Sequence, residues 1–217
     1  MKLIESPNRL IGWVFDLLFP PVCVGCGTYG SLLCGKCRSK LTPVGCVAKD
    51  TGIIDSIHSV YAYDGAMRQA ILQFKYSNVK ALSVPLGRLM KRYVDSNPLP
   101  VDTLVPVPLH IRRLRQRGYN QSLLLALQLG RLTALPVVDG ALARRKNTVP
   151  QVSTSGLSAR QRNVSNAFVC RGRRLAGRHV LLIDDVCTTG ATLAACAAAL
   201  KSAGAASVRG LTLAREV

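Results

Sequence analysis

Two acidic residues stand side by side at the end of a short apolar run, Val180-Leu-Leu-Ile-Asp184-Asp185, and a small hydroxyl-rich turn follows, Val186-Cys187-Thr188-Thr189-Gly190-Ala191-Thr192. Ionised carboxylates accept hydrogen bonds and cannot donate them, and two adjacent ones repel each other. A natural partner for such a pair is two neighbouring hydroxyls, such as the diol of a ribose. The turn leads into an alanine-rich stretch that reads as a helix over Ala191–Leu200. The first N–H groups of a helix lack partners and sit at the positive end of its dipole, which suits a phosphate. The dipole is worth only about 0.3–1 kcal/mol when exposed. Most of the hold must therefore come from the backbone donors and the hydroxyls of Thr188, Thr189 and Thr192, with Gly190 letting the backbone come close. Carboxylates for a diol beside a cradle for a phosphate describe a ribose 5-phosphate. The plainer alternative is an acidic helix cap after a strand. Cys187 fits the turn as a small residue, although a helix N-terminus can also lower a thiol pKa.

The elements that must position this turn follow from the same patterns. An apolar run as short as Val180–Ile183, bounded by a turn, reads as a parallel strand buried on both faces. Ligands of open α/β sheets sit beyond the carboxyl ends of such strands. Strands are expected at Ser59–Tyr63, Thr103–Pro108, Gly140–Ala143, His179–Asp184 and Ser207–Leu213, and helices at Ala66–Phe74, Leu82–Val94 and Ser122–Leu132. The prolines place Thr103–Pro108 at a strand end or sheet edge, and residues 147–166 read as loop. Alternating strands and helices indicate an α/β fold with a parallel sheet flanked by helices. No Walker A sequence occurs, which excludes a P-loop nucleotidase.

Near the amino terminus, Cys23-x2-Cys26 and Cys34-x2-Cys37 lie within fifteen residues, with Gly25, Gly27 and Gly35 beside them. Four thiolates at this spacing suit a tetrahedral structural zinc. Two disulfides or an iron–sulfur cluster are the alternatives. A closed four-cysteine shell leaves no open position for catalysis, so its role is scaffold or recognition. Cys46 stands apart from the set, and Cys170 and Cys196 read as buried thiols. The chain of 217 residues divides into 1–50, an N-terminal helix plus a zinc-ribbon-like module, and 51–217, the α/β domain. The apolar stretch Leu10–Phe19 is about half of the ~20 residues a membrane span needs. Asp16 interrupts it and Pro20 ends it, so it reads as a short amphipathic helix without membrane insertion. The net charge of +18 favours polyanionic partners. Arginines gather at Arg112, Arg113, Arg115 and Arg117, and again at Arg144, Arg145 and Lys146, with Arg160 and Arg162 further on.

The thirteen residues from Val180 to Thr192 closely resemble the phosphoribosyl-pyrophosphate (PRPP) signature of type I phosphoribosyltransferases. Along the chain come Phe74-Lys75-Tyr76, Val105-Pro-Val-Pro108, Arg117-Gly-Tyr-Asn-Gln121, Arg144 with Thr148-Val-Pro-Gln151, and Arg160-Gln-Arg-Asn163. Together with the cysteine module, these resemble the ComF (GntX-like) family of competence-associated, phosphoribosyltransferase-like proteins. The resemblance implies a type I phosphoribosyltransferase-like fold and a zinc ribbon. It implies that Asp184 and Asp185 hold the ribose hydroxyls and that residues 186–192 hold the 5′-phosphate. Lys75, Pro108, Arg112, Arg117 and Arg144 would then face the rest of PRPP, with Mg2+ on its pyrophosphate. Residues 144–163 would form a loop that closes over it. Many relatives carry a second cysteine set; Cys46 is its only remnant here, so one zinc is expected.

Three functions remain open at this stage. One is a PRPP-dependent glycosyltransferase whose acceptor the sequence does not name. Another is a DNA-uptake accessory protein that binds single-stranded DNA beside other DNA-uptake proteins, with Tyr61, Tyr63, Tyr76 and Tyr119 as stacking platforms. The third is a PRPP sensor. The expected location is the cytoplasm.

Overall fold

The apolar run ahead of the paired acids lies inside a five-stranded sheet. In the computed structural model, which describes residues 20–49, 52–144 and 167–216, its strands are β1 (Pro43–Lys49), β2 (Ser56–Ala62), β3 (Thr103–Pro106), β6 (His179–Cys187) and β7 (Ser207–Arg215). They lie in the order β1-β2-β7-β6-β3, with β2, β7, β6 and β3 parallel and β1 antiparallel to β2. The short strands β4 (Leu142–Arg144) and β5 (Phe168–Cys170) form a separate antiparallel ribbon.

Alternation along β6 explains why the sheet is covered on both faces. Leu181 and Ile183 enter one core with Met67, Phe74, Leu89 and Leu125. Val180 and Leu182 enter the other with Leu193, Cys196, Ala197 and Leu200. All four strand residues are fully buried, as a parallel strand between two helical layers must be. The first layer is α2 (Gly65–Tyr76), α3 (Ser83–Ser96) and α5 (Gln121–Thr133); the second is α6 (Ala191–Ser202) with the β4–β5 ribbon. Among the described residues the remaining helices are short, α1 (Gly35–Arg38), α4 (Ile111–Arg117) and a 3-10 helix at Lys80–Leu82.

Several elements differ from the sequence reading. The strand expected to end at Asp184 continues to Cys187, because Val186 and Cys187 still pair with Ala214 and Arg215 of β7. The strand expected to reach Pro108 stops at Pro106, a sheet-edge position where a missing N–H is tolerated. Gly140 is a turn residue and Ala141 a bend, and the strand there starts at Leu142. β1 lies within the stretch assigned to the N-terminal module, yet it pairs with β2 from Pro43↔Tyr61 to Lys49↔Ser56 and forms an edge of the main sheet. Cys23, Leu33, Cys37 and Leu41 share a core with α2 and α3. Residues 20–49 thus pack on the α/β body without a separate core of their own.

No helix among the described residues is long and apolar enough to cross a membrane. The stretch Leu10–Phe19 and the residues 145–166, including Arg145, Lys146, Arg160 and Arg162, lie outside the described residues.

Candidate functional site

The carboxyl ends of β3 and β6 open onto a cavity of about 270 Å3. Asp184 and Asp185 line it, joined by Lys75 and Tyr76 from the end of α2, Pro108 after β3, Arg113 and Arg117 from α4, Gln121 and Ser122 from the start of α5, Arg144, and Val186, Thr188 and Thr192 of the turn.

Each acid is fixed through one oxygen. Asp184 Oδ1 accepts from Ser122 Oγ at 2.8 Å and from the Asp185 N–H at 2.9 Å. Asp185 Oδ1 lies 2.7 Å from Lys75 Nζ. The second oxygen of Asp185 is buried without a hydrogen-bond partner. Two other buried side-chain atoms are in the same condition, Arg117 Nη1 and Gln121 Oε1. Among the described residues these are the only such atoms, and all three residues line this one cavity. A buried, unsatisfied polar group costs about 1–3 kcal/mol. Three of them together mark a place built to meet a ligand.

The motif Arg117-Gly-Tyr-Asn-Gln121 now has a role at each position. Arg117 stacks over Tyr76 at 5.3 Å. Gly118 ends α4 in the left-handed conformation (φ 78°). The Tyr119 hydroxyl donates to the Phe74 carbonyl, which ties α4 to the end of α2. Asn120 caps α5 by accepting from the Ser122 N–H, and its Nδ2 donates to the Val107 carbonyl, both at 3.0 Å. Gln121 turns into the cavity. Tyr119 is therefore a buried strut (7% exposed) and cannot serve as the stacking platform expected of it.

The structure separates the expected ligand-contacting residues into two groups and leaves Arg112 outside both. Lys75, Pro108, Arg117, Arg144, Asp184, Asp185, Val186, Thr188 and Thr192 come together around the cavity. Cys187, Thr189, Gly190 and Ala191 form the turn that supports it. Arg112 faces elsewhere and Arg113 takes its place, because Arg113 and Arg117 are four residues apart on α4 and share one helix face. Gln121 and Ser122 had no role in the sequence reading. The only signal for them was their place directly after the Asn120 cap. Burial pushes the Cys187 thiol up, with the Asp184 carboxylate adding to the rise, so the helix N-terminus does not activate it.

Gly190 is required twice over. Its φ is +79°, and a Cβ there would lie 2.9 Å from Ile57 Cδ1. Left-handed backbone costs an ordinary L-residue about 1–2 kcal/mol. Gly190→Ala should therefore lower the urea midpoint by at least that equivalent, with the m-value unchanged.

Burial and the neighbouring Asp185 carboxylate push Asp184 up to about 7, against the hydrogen bond from Ser122. The native state then binds a proton that the unfolded chain has released. This contribution to stability is present at low pH and is lost as pH rises from about 4 through about 7. Despite their burial, Asp55 and Asp102 are held below the usual carboxylate range by donors such as the Val208 N–H and the Thr103 hydroxyl, which gives the opposite trend. Comparison with Asp184→Asn cancels that background. The variant should gain stability relative to wild type as pH rises from 4 to 8, by a few kcal/mol in order of magnitude. Urea titrations at several pH values would measure the gain.

At the amino-terminal end, the sulfurs of Cys23, Cys26, Cys34 and Cys37 all lie within 4.8 Å of one another. Four sulfurs held 2.3 Å from one ion would be about 3.8 Å apart. The Cys34 N–H donates to Cys23 Sγ and the Cys37 N–H to Cys34 Sγ, each at 3.4 Å. Thr28 lies beside Cys26 and lowers its thiol to about 6, whereas burial and the other three sulfurs raise Cys37 to about 12. Four thiolates need a cation to coexist here, and the residues fit one. Gly25 permits the close approach: a Cβ there would lie 2.8 Å from Cys37 Sγ and 2.9 Å from Ala66 Cβ of α2.

Residues 118–216 match the phosphoribosyl transferase domain family. The chain is 34% identical to the DNA utilization protein YhgH of Escherichia coli K12 over 197 residues, covering 87% of this chain and 81% of that protein. It is 31% identical to competence protein F of Haemophilus influenzae over 208 residues, covering 90% and 85%. Among solved structures, the glutamine PRPP amidotransferase of Bacillus subtilis aligns with a TM-score of 0.46 and 16% identity, over 65% of this chain and 30% of that one. The chain belongs to the ComF family of competence-associated proteins and carries a type I phosphoribosyltransferase-like α/β domain with a four-cysteine cluster near its amino terminus.

Proposed function

We propose that this protein binds PRPP in the cavity at the end of β6 and acts in DNA uptake, a reading supported by relatives named as a DNA utilization protein and a competence protein. The observation that carries the ligand reading is the convergence of Asp185 Oδ2, Arg117 Nη1 and Gln121 Oε1, all buried and unpartnered, on one cavity beside Asp184. Asp184 and Asp185 accept hydrogen bonds from the ribose diol. The Thr188–Thr192 turn donates to the 5′-phosphate. Arg113, Arg117 and Arg144 face the pyrophosphate, where guanidinium forks suit phosphate oxygens. Magnesium bound with PRPP supplies charge neutralisation at the pyrophosphate. Lys75 holds Asp185 in place and adds positive charge where the leaving group would depart. The four cysteines hold one structural zinc, and a reduced thiol set of this kind fits the cytoplasm.

Calorimetric titration with magnesium and PRPP, with pyrophosphate followed in the same samples, tests this reading. Saturable one-to-one binding is expected. Pyrophosphate release on adding cell extract identifies a transferase, and binding without release identifies a sensor or accessory module. Absence of binding rejects the PRPP reading.

A further inference from the structure

The four sulfurs near the amino terminus are not equivalent. Cys23 and Cys37 are buried, in the core they share with Met67, Ala70 and Phe74 of α2. Cys26 is exposed and Cys34 half-buried. The Cys26 and Cys34 sulfurs lie 3.6 Å apart. Thr28 Oγ1 lies 3.1 Å from Cys26 Sγ. A hydroxyl that donates to a thiolate competes with a bound metal for the same sulfur electrons, so Thr28 makes Cys26 the ligand most easily released. Oxidation of cysteine follows thiolate character and exposure, and both single out Cys26 within the cluster. A disulfide holds its sulfurs about 2.05 Å apart, so Cys34 is within a small side-chain movement of it.

We infer that Cys26 and Cys34 are a peroxide-sensitive pair, whose oxidation to a disulfide frees the zinc and loosens the start of α2. The inference rests on the proposed zinc site. Hydrogen peroxide is the oxidant. The Cys26 thiolate attacks one peroxide oxygen, the O–O bond breaks, and hydroxide leaves. The Cys34 thiolate then attacks the Cys26 sulfenic acid, the S–O bond breaks, and a second hydroxide leaves. Each hydroxide takes a proton from solvent, so two electrons from the sulfurs reduce one peroxide to two waters. Cys23 and Cys37 alone cannot complete a four-coordinate zinc site. The change passes to α2 through the shared core and through Gly25, which sits against Ala66 in the first turn of that helix.

The test uses the full-length, zinc-loaded protein carrying Cys46→Ser, because Cys46 is an exposed thiol outside the cluster. Hydrogen peroxide is added while a chromogenic chelator reads free zinc. Unreduced peptide mapping locates the disulfide, and hydrogen exchange reads α2 without any need for PRPP. Release of one zinc per chain is expected, in step with a Cys26–Cys34 disulfide. Protection of residues 65–76 should fall tenfold or more while that of residues 191–202 stays within twofold. Dithiothreitol with added zinc should reverse both changes. Thr28→Val should slow zinc release threefold or more with one zinc still bound, and Thr28→Ser should restore the rate. Thr28 is exposed, so both variants should fold.

Zinc retained under a hundredfold excess of peroxide would overturn the inference and leave the zinc site standing. So would a first disulfide that includes Cys23 or Cys37, or zinc release with unchanged protection of residues 65–76. A reduced chain that holds no zinc by atomic absorption, before any peroxide is added, would reject the zinc reading and the inference with it.

Discussion

Asp184→Asn with Asp185→Asn should abolish PRPP binding and leave a folded protein. Both carboxylates are anchored by one oxygen, to Ser122 and to Lys75, and Asp185 presents its other oxygen without a partner. Hydrogen bonds to charged groups contribute about 1.5–3 kcal/mol each. Losing two of them should weaken PRPP binding by at least about a hundredfold. The fold should survive because two stability effects oppose each other. Replacing Asp184 removes a carboxylate whose pKa is raised by burial and by the Asp185 charge. Replacing Asp185 unpairs Lys75, whose side chain keeps 18% exposure and so reaches solvent. Calorimetry and a melting curve on the same preparation decide the matter. Unchanged PRPP affinity in a cooperatively melting double variant would remove the acids from the site.

Ser122→Ala separates anchoring from contact. Ser122 donates to Asp184 Oδ1, so its loss frees the Asp184 carboxylate to rotate. PRPP affinity should fall by about tenfold, less than for the acids themselves, and the high pKa of Asp184 should rise further, since the Ser122 hydrogen bond opposes the rise. Carbon-detected titration of the aspartate carboxyls would read that shift, and a fall in the pKa would argue against the anchoring role.

What could be read ahead of the structure was what is local. The run Val180–Ile183, the two acids and the Thr188–Thr192 turn are contiguous, and their strand, turn and helix each have a residue-level signature. The cysteine cluster is likewise two short knuckles. α4 was not legible because none of its seven residues is fully buried, so no apolar stripe marks it. Yet its helical spacing is what sends Arg113 rather than Arg112 into the cavity. β1 was missed for a different reason: its partner β2 is reached through tertiary pairing, and a bulge between Cys46 and Ala48 breaks its pattern. The anchors of the acids are also long-range. Ser122 and Lys75 come from helices on the far side of β3 or before it in the chain, and only packing brings them to Asp184 and Asp185. The motif around Tyr119 was visible as a string but silent about roles, since a buried hydroxyl bound to Phe74 and an exposed stacking tyrosine are written with the same letter.

Removing the metal should have consequences beyond the cysteine cluster. One zinc per chain is expected by atomic absorption, bound by Cys23, Cys26, Cys34 and Cys37. Zinc binding contributes on the order of 10 kcal/mol to the folding of isolated zinc-finger peptides. In a chain of this size each kcal/mol moves the melting midpoint by about 2–4 °C. Even a third of the peptide value would lower the midpoint by roughly 10 °C after chelation. The effect should also reach the cavity. Cys23 and Cys37 share a core with Met67, Ala70 and Phe74 of α2, and Gly25 lies against Ala66 at the start of that helix. The other end of α2 carries Lys75 and Tyr76 into the cavity. A loosened cluster therefore loosens the support of Lys75, and PRPP affinity should fall together with the melting midpoint in Cys26→Ser and Cys34→Ser. Re-addition of zinc to the chelated wild type should restore both. An unchanged midpoint after quantitative metal removal would separate the cluster from the stability of the fold. Four thiols recovered as two disulfides in protein purified under reducing conditions would replace the metal with cross-links, and the coupling to Lys75 would then have to be sought in the redox state of the cluster.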